Sequence, residues 1–224
     1  MKLDRLYEIL FHNYGDLKWW PAETPFEVAV GAILTQNTNW NNVEKAIENL
    51  KKTDLLTPYG IYRSDENMLK KLIRSAGFYN QKCERLKILS EYIIKDLKGN
   101  IVNLKKYDLK QARERLLALK GIGKETADSI LLYALDFKVF VVDTYTLNFF
   151  ERLKIGKFSS YDECQNYVHE CFSGDIKAYK NFHALIVEHC KNFCKKHPKC
   201  IDCFLNSKFC FWVEKFNVNV KFNR

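Results

Sequence analysis

Apolar side chains recur along this chain with a spacing of three and four residues, which indicates amphipathic helices. In PFEVAVGAILTQ, for example, Phe26, Val30 and Ile33 share one face. Strand-like runs are few, and the clearest are KVFVV at 138–142 and a weaker alternation at 218–222. No linker rich in glycine, serine or proline and no internal repeat interrupts the helical pattern. The sequence therefore predicts an all-α protein of eight to ten helices.

Composition and charge narrow the class of protein. The 224 residues are 47% hydrophobic and 28% charged, as in ordinary globular proteins. No apolar run is long enough for a transmembrane helix, and the first twenty residues lack the features of a signal peptide. We expect an intracellular, cytoplasmic protein with no membrane partner. The net charge of +9 favours a polyanionic partner such as nucleic acid, although a solvated basic surface explains it equally well.

A turn rich in glycine, LKGIGKETA, joins two amphipathic segments. Gly121 and Gly123 permit a tight turn and a close approach of the backbone, and Ile122 between them can pack between the two helices. The amide groups that start the second helix, together with Lys124, favour an anion. With Thr126 the segment resembles the helix-hairpin-helix motif, which binds a DNA phosphate without reading base sequence. The alternative is a purely structural turn.

The segment VVDTY places an aspartate, Asp143, after an apolar run, where an aspartate usually caps a helix. The helix-hairpin-helix glycosylases related to endonuclease III carry a catalytic aspartate in a similar segment, eighteen residues after a lysine in the pattern GxGxKTA. Here the separation is the same, 143 − 125 = 18. LTQNT and GFYNQK also match, so the resemblance extends from Trp19 to Cys210.

This resemblance implies a two-lobed helical glycosylase fold. One domain would be a helical barrel, 22–131, that ends in the helix-hairpin-helix. The second would combine the terminal segments, 1–21 and 132–224, and would contain an iron–sulfur loop at 190–210. The family also implies a place in base excision repair, bound to damaged double-stranded DNA, as a monomer associated with the nucleoid.

The chain departs from endonuclease III at one reactive position. Glu125 stands where that enzyme has its Schiff-base lysine, and a carboxylate cannot form an imine with the sugar. We therefore expect a monofunctional glycosylase that leaves an abasic site, with Asp143 stabilising the sugar cation or activating water. The alternative is that Glu125 is an ordinary surface residue of a degraded site.

Three tryptophans suggest which base is released. Trp19 and Trp20, in WWP, and Trp40, after LTQNT, would by themselves be assigned to the core. Together with KGIGKE and VVD, they resemble the 3-methyladenine DNA glycosylase III branch of the superfamily. That resemblance implies that the three indoles line a pocket for a flipped, cationic alkylated purine, which Asp143 faces. It also places Gln36 at the position that fills the gap left in the duplex.

Eight cysteines in an intracellular chain indicate a metal site before a disulfide framework. Cys194, Cys200, Cys203 and Cys210 have the spacing C-x5-C-x2-C-x6-C. The iron–sulfur loop of endonuclease III has C-x6-C-x2-C-x5-C, and the resemblance implies a [4Fe–4S] cluster here. Zn²⁺ is the alternative, because four thiolates can hold either group. Cys190 remains open as a further ligand.

Two other functions remain open. An endonuclease III-like glycosylase would act on oxidised pyrimidines or on mismatched thymine or uracil. A non-catalytic DNA-binding module would use the hairpin and the basic loop alone. In each case DNA binding should weaken steeply with salt, because bound lysines and arginines displace counterions.

Overall fold

The computed structural model describes residues 2–206 and residue 210. The described residues form eleven α-helices, more than the eight to ten predicted: α1 Leu3–Tyr14, α2 Pro25–Leu34, α3 Trp40–Lys52, α4 Pro58–Arg63, α5 Glu66–Leu72, α6 Tyr79–Asp96, α7 Leu109–Leu117, α8 Lys124–Ser129, α9 Thr144–Arg152, α10 Tyr161–Cys171 and α11 Ile176–Asn192. Two 3₁₀ segments, Arg74–Ala76 and Ile101–Lys106, and one π-helical segment, Ile130–Ala134, complete the secondary structure.

The all-α fold class is confirmed. The described residues contain no β-strand, and their one bridge joins Asn206 to Cys210. The apolar run at 138–142, which reads as a strand, is an irregular segment whose residues 139–142 are buried because helices surround them. The weaker alternation at 218–222 lies outside the described residues. Within the described ranges, no helix is long and apolar enough to cross a membrane.

Polar side chains mark where most helices begin. Each capping oxygen accepts a hydrogen bond from a backbone N–H of the first turn, which satisfies a donor that has no partner inside the helix. The capping residues are Thr24, Asn39, Thr57, Asp65, Asp108, Asp143, Ser160 and Asp175. These caps fix helix starts at the level of local sequence, before any tertiary packing.

The chain divides into two compact units, and Trp20–Lys138 forms one of them. This span is wider than the predicted 22–131. Its centre is α2, in which every residue from Phe26 to Leu34 is buried. A helix that is apolar all round must be covered on all sides, and α2 accordingly packs against α3, α6, α8 and the π-helical segment.

The second unit combines the described residues up to Trp19 with the described residues from Val139 onward. Leu3, Leu6 and Leu10 form the buried face of α1, which packs on α11. The helix α11 also packs against α9. This unit therefore brings together the residues that follow Asp143 and the helix that leads into the cysteine loop.

Candidate functional site

The turn between α7 and α8 has the conformation that its glycines predict. Gly121 has a φ of +84°, in the left-handed region. A Cβ added there would clash with the side chain of Arg85, so a larger residue at this position requires Arg85 to move. Ile122 is buried, as expected for the residue that anchors the turn. Lys124 and Glu125 are exposed in the first turn of α8.

A buried ion pair fixes the two helices of the hairpin to each other. Arg113 of α7 donates from Nε to Oδ1 of Asp128 at 2.7 Å and from Nη2 to Oδ2 at 3.0 Å. Asp128 is fully buried on α8. A bidentate contact of this kind is strong and directional, so the spacing of α7 and α8 is set independently of the exposed turn.

The side chain of Gln36 is bound to the hairpin. Its Nε2 donates to Oγ1 of Thr126 at 2.8 Å and to the carbonyl of Gly121 at 3.3 Å, and its Oε1 accepts from Nη1 of Arg85. Thr126 itself is buried. The loop after α2 and the hairpin are therefore one connected structure, and insertion of Gln36 into a duplex requires these bonds to break. Its role as the residue that fills the gap stays a prediction.

Lys82, in GFYNQK, is fully buried and contacts the end of α2, where the loop that contains Gln36 begins. Its Nζ donates to the carbonyl of Leu34 at 2.8 Å and to that of Ala76 at 2.7 Å. Burial and the nearby charge of Arg85 lower the pKa of Lys82 to about 8. The two carbonyls end helical segments, where the helix dipole favours a cation. This motif is therefore a structural support for the residues that follow α2.

Two exposed residues of the matched motifs, Phe78 and Asn37, have a positive φ. Phe78, just before α6, has a φ of +46° and is 61% exposed. Asn37 has a φ of +55° in the loop after α2 and is exposed. Strained backbone at exposed positions often marks a functional surface. Neither residue follows from the sequence patterns described above, although an aromatic side chain directly after a glycine in a matched motif is a signal that could have indicated Phe78.

The structure brings Trp20 and Trp40 together, and it adds Tyr133, which the sequence analysis did not single out. The ring centroids of Trp20 and Trp40 are 5.7 Å apart, nearly perpendicular, and those of Trp20 and Tyr133 are 4.9 Å apart. Trp20 lies over Gly31, where an added Cβ would be 3.3 Å from its Nε1. Tyr133 belongs to the π-helical segment, a feature frequent at functional sites.

The indole N–H groups of this aromatic group differ in their partners. Nε1 of Trp40 donates to Oε1 of Glu44 at 2.7 Å, which fixes that ring on α3. Nε1 of Trp20 is buried and has no acceptor within the described residues. A buried donor without a partner is costly, so Trp20 presents a group that a bound base could satisfy.

Trp19, the third predicted pocket residue, belongs to the other unit. The ammonium of Lys191 lies 4.7 Å from the centroid of its ring. This is a cation–π contact. The structure therefore shows a cation on this indole, and its place in a base pocket stays a prediction.

Asp143 is the N-cap of α9, so the ordinary interpretation of this aspartate is correct. Its Oδ1 accepts from the backbone N–H of Thr146 at 2.7 Å and from the Thr146 hydroxyl at 2.8 Å. Its side chain is 13% exposed. Burial raises the pKa of this carboxyl, but His183 and Thr146 outweigh burial, and the pKa lies below its ordinary value. Asp143 is therefore an ionised carboxylate with one oxygen fixed by the helix.

Four cysteines of the C-terminal loop line one cavity. Cys194, Cys200, Cys203 and Cys210 face it together with an apolar wall made of Phe149, Leu153, Phe193, Pro198 and Leu205. Cys190 is not among the lining residues; it is buried, with its Sγ 3.8 Å from the carbonyl of Tyr145. Within residues 2–206 and residue 210, no three histidine, cysteine or acidic side chains form a group that could hold a metal ion.

Arg152 of α9 organises the start of this loop. Its Nη1 donates to the carbonyl of Cys194 at 2.6 Å, to that of Lys195 at 2.9 Å and to Sγ of Cys194 at 3.1 Å. A hydrogen bond from Cys190, with help from this guanidinium, lowers the pKa of Cys194 to about 6. Cys194 therefore has the thiolate character that a metal ligand needs.

Known proteins with similar sequences are DNA repair enzymes. The family model of the HhH-GPD superfamily of base excision DNA repair proteins matches residues 30–173. A putative DNA repair glycosylase of Methanocaldococcus jannaschii is 51% identical over 209 residues, which is 92% of this chain and 94% of that protein. An endonuclease III of Sulfolobus acidocaldarius is 30% identical and covers 84% of this chain and 83% of its own length.

Solved structures agree. The H. pylori 3-methyladenine DNA glycosylase bound to 1,N6-ethenoadenine is 33% identical with a TM-score of 0.76, over 86% of this chain and 98% of that one. An endonuclease III–DNA complex has a TM-score of 0.81 over 96% of both chains, and at 20% identity it supports the fold alone.

Fold and sequence together define a DNA-binding glycosylase of base excision repair that is built around a helix-hairpin-helix. The chain belongs to the HhH-GPD superfamily of base excision DNA repair proteins. The resemblance on which the sequence analysis relied is thereby confirmed.

Proposed function

We propose that this protein is a monofunctional DNA N-glycosylase that releases alkylated purines, such as 3-methyladenine, and leaves an abasic site. The observation that carries the proposal is the aromatic group of Trp20, Trp40 and Tyr133. The 33% identity to a 3-methyladenine DNA glycosylase supports the same substrate class.

The chemistry of an alkylated purine suits this aromatic group. Alkylation at N3 or N7 gives the base a formal positive charge, and an aromatic face attracts a cation. The same charge makes the base a good leaving group, so little general-acid help is needed. A neutral pyrimidine has neither advantage and requires more hydrogen bonds than indole rings offer.

Asp143 supplies the charge that bond cleavage demands. Positive charge develops at C1′ as the glycosidic bond breaks, and a preorganised carboxylate stabilises it or orients the attacking water. The low pKa of Asp143 keeps the group ionised at neutral pH. The helix N-terminus fixes Oδ1, which limits the reorganisation needed when the charge forms.

Glu125 supports the absence of lyase activity. It occupies the position that corresponds to the Schiff-base lysine of endonuclease III, and a carboxylate cannot attack C1′ to form an imine. Lys124 is adjacent in sequence, but neighbouring side chains on a helix point about 100° apart. The reaction therefore ends at the abasic site.

DNA binding is assigned to the hairpin and its surroundings. The turn at Gly121–Gly123 and the exposed Lys124 contact a phosphate, with Thr126 as internal support. Gln36 and the exposed Phe78 face the gap in the duplex. The substrate is double-stranded DNA and the protein acts as a monomer.

The cysteine loop holds a [4Fe–4S] cluster. The support for this proposal is the donor set, because four thiols line a single cavity, although within the described residues they do not stand as a formed metal-binding group. The pKa of Cys194 is lowered, whereas burial raises the pKa of Cys200 and Cys203. Cys194, Cys200, Cys203 and Cys210 are the ligands. The cluster supplies structural cross-linking to a loop that carries Lys195, Lys196 and Lys199. Iron and sulfide analysis of purified protein tests this, and one zinc per chain would instead support the Zn²⁺ alternative.

A panel of lesions tests the proposed activity. Duplexes carrying 3-methyladenine, 1,N6-ethenoadenine, thymine glycol, uracil or a G·T mismatch are incubated with the protein, and alkali then reveals abasic sites. We expect release of 3-methyladenine, with strand breaks after alkali treatment. Release of thymine glycol alone would support the endonuclease III-like alternative, which the 30% identity to such an enzyme favours. No release from any duplex would support a non-catalytic module.

A further inference from the structure

A buried histidine lies beside the carboxylate of Asp143 and has no role in the function described so far. His183 belongs to α11, in the same unit of the chain, and its side chain is 8% exposed. Its Nε2 lies 3.6 Å from Oδ2 of Asp143. This contact joins two helices whose residues are separated by 183 − 143 = 40 positions.

The two oxygens of Asp143 have different surroundings. Oδ1 accepts two hydrogen bonds from Thr146, one from the backbone and one from the hydroxyl. Oδ2 takes neither bond and faces His183. The orientation of the carboxylate therefore depends on α9 through one oxygen and on α11 through the other.

Three other groups of the described residues that the charge of Asp143 reaches are weak acids. They are Tyr145, Cys164 and Cys190, and the pKa of each is raised, mainly by burial for Tyr145 and Cys164. Neither a phenol nor a thiol can carry positive charge. Among these neighbours only His183 can be a cation, and its Nε2 can also donate a hydrogen bond when the ring is neutral.

We propose that His183 is a positioning residue for glycosidic bond cleavage, holding Oδ2 of Asp143 oriented and ionised toward the sugar. The inference rests on the proposed role of Asp143 in catalysis. The distance of 3.6 Å is longer than a hydrogen bond, and such contacts in a free enzyme commonly shorten in the reacting complex. A neutral imidazole suffices, because an N–H donor orients the carboxylate without cancelling its charge.

The alternative is that His183 is an ordinary core residue of α11, which its edge-to-face contact with Phe140 would explain. A purely structural role predicts lower stability and an equal loss of activity whatever residue stands at position 143. A positioning role predicts a loss that depends on the Asp143 carboxylate. The two roles therefore differ in a double-mutant cycle.

The test is single-turnover release of 3-methyladenine from a duplex by four proteins: wild type, His183→Ala, Asp143→Asn and the double variant. We expect His183→Ala to lower the rate constant about 10- to 100-fold, the range found when supports of reactive groups are removed. Duplex affinity should stay within about twofold of wild type, since His183 is buried. In the Asp143→Asn background the same change should cost nothing further.

Two more variants keep the test independent of folding. His183→Asn retains a donor and should recover part of the rate. Asn181→Ala changes another buried polar residue of α11, whose Oδ1 accepts from the backbone of Leu17 at 3.4 Å. It should lower the melting temperature and leave the rate of base release unchanged.

The outcomes separate this inference from the proposed function. A wild-type rate in His183→Ala, or an equal loss in both backgrounds, overturns the role of His183 while Asp143 keeps its own. A wild-type rate in Asp143→Asn overturns the proposed function and the role of His183 with it.

Discussion

Replacement of Gly121 by alanine tests whether the hairpin and the loop after α2 form one connected structure. The φ of +84° disfavours any residue with a Cβ. The added Cβ would also lie 2.4 Å from Nε, 2.6 Å from Cγ and 2.7 Å from Cδ of Arg85. Arg85 must therefore move, and its movement breaks the hydrogen bond to Gln36.

Two costs add up for Gly121→Ala. A left-handed conformation costs a residue other than glycine about 1–2 kcal/mol. A lost hydrogen bond to a charged group costs about 1.5–3 kcal/mol when buried, and less here because Arg85 is partly exposed. We expect a total of about 2–4 kcal/mol, which for a protein of this size lowers the melting temperature by about 4–16 °C.

The assay is thermal unfolding together with binding to an undamaged duplex by fluorescence anisotropy. Gly123→Ala is the matched control, because Gly123 has a φ of −89° and nothing lies within 4 Å of an added Cβ. Adding Arg85→Ala to Gly121→Ala should remove the steric part of the effect and leave the backbone part. Equal melting temperatures for Gly121→Ala and Gly123→Ala would refute the reasoning.

Three further predictions concern the proposed chemistry. Glu125→Lys should introduce strand nicking and a borohydride-trapped adduct with lesion DNA; no trapped adduct would contradict the alignment of position 125 with the Schiff-base lysine. Trp20→Ala should abolish base release and leave affinity for undamaged duplex within about twofold, since hairpin contacts supply most non-specific binding; retained base release would contradict the pocket. The pKa of Asp143 lies below its ordinary value of 3.8, so its carboxylate stabilises the native state above that pH, and the stability is lost as the pH falls through the folded-state pKa. Asp143→Asn should therefore flatten the decline of melting temperature below about pH 4, and an unchanged decline would argue against the low pKa.

Local patterns account for most of what the sequence could predict. The long helices follow from apolar periodicity and polar caps, both of which are properties of short segments. The count of eight to ten falls short of eleven in part because α4 has only six residues, PYGIYR, too few for a periodic pattern. The helix α1 has a clear apolar face of Leu3, Leu6 and Leu10, so apolar periodicity is sufficient to predict it.

The features that the sequence could not predict are contacts between segments that are distant along the chain. The resemblance to the helix-hairpin-helix glycosylases indicated Asp143, whereas its neighbour His183 lies on another helix and follows no local pattern. The bonds of Gln36 to Thr126 and Arg85 join three segments, and no spacing rule predicts them. In the sequence, Tyr133 is one more apolar residue of a helical pattern. Only the structure shows that it lies in a π-helical segment and packs on Trp20.

The most direct test of the account compares two aspartates that cap helices in the same way. Asp143 accepts from Thr146 N–H at 2.7 Å, and Asp175 accepts from Ala178 N–H at 2.8 Å. Asparagine caps helices as well as aspartate does, so both substitutions should fold. In single-turnover release of 3-methyladenine, we expect Asp143→Asn to lose about 100-fold or more and Asp175→Asn to match wild type. Equal rates for the two variants would contradict the assignment of Asp143 as the catalytic carboxylate.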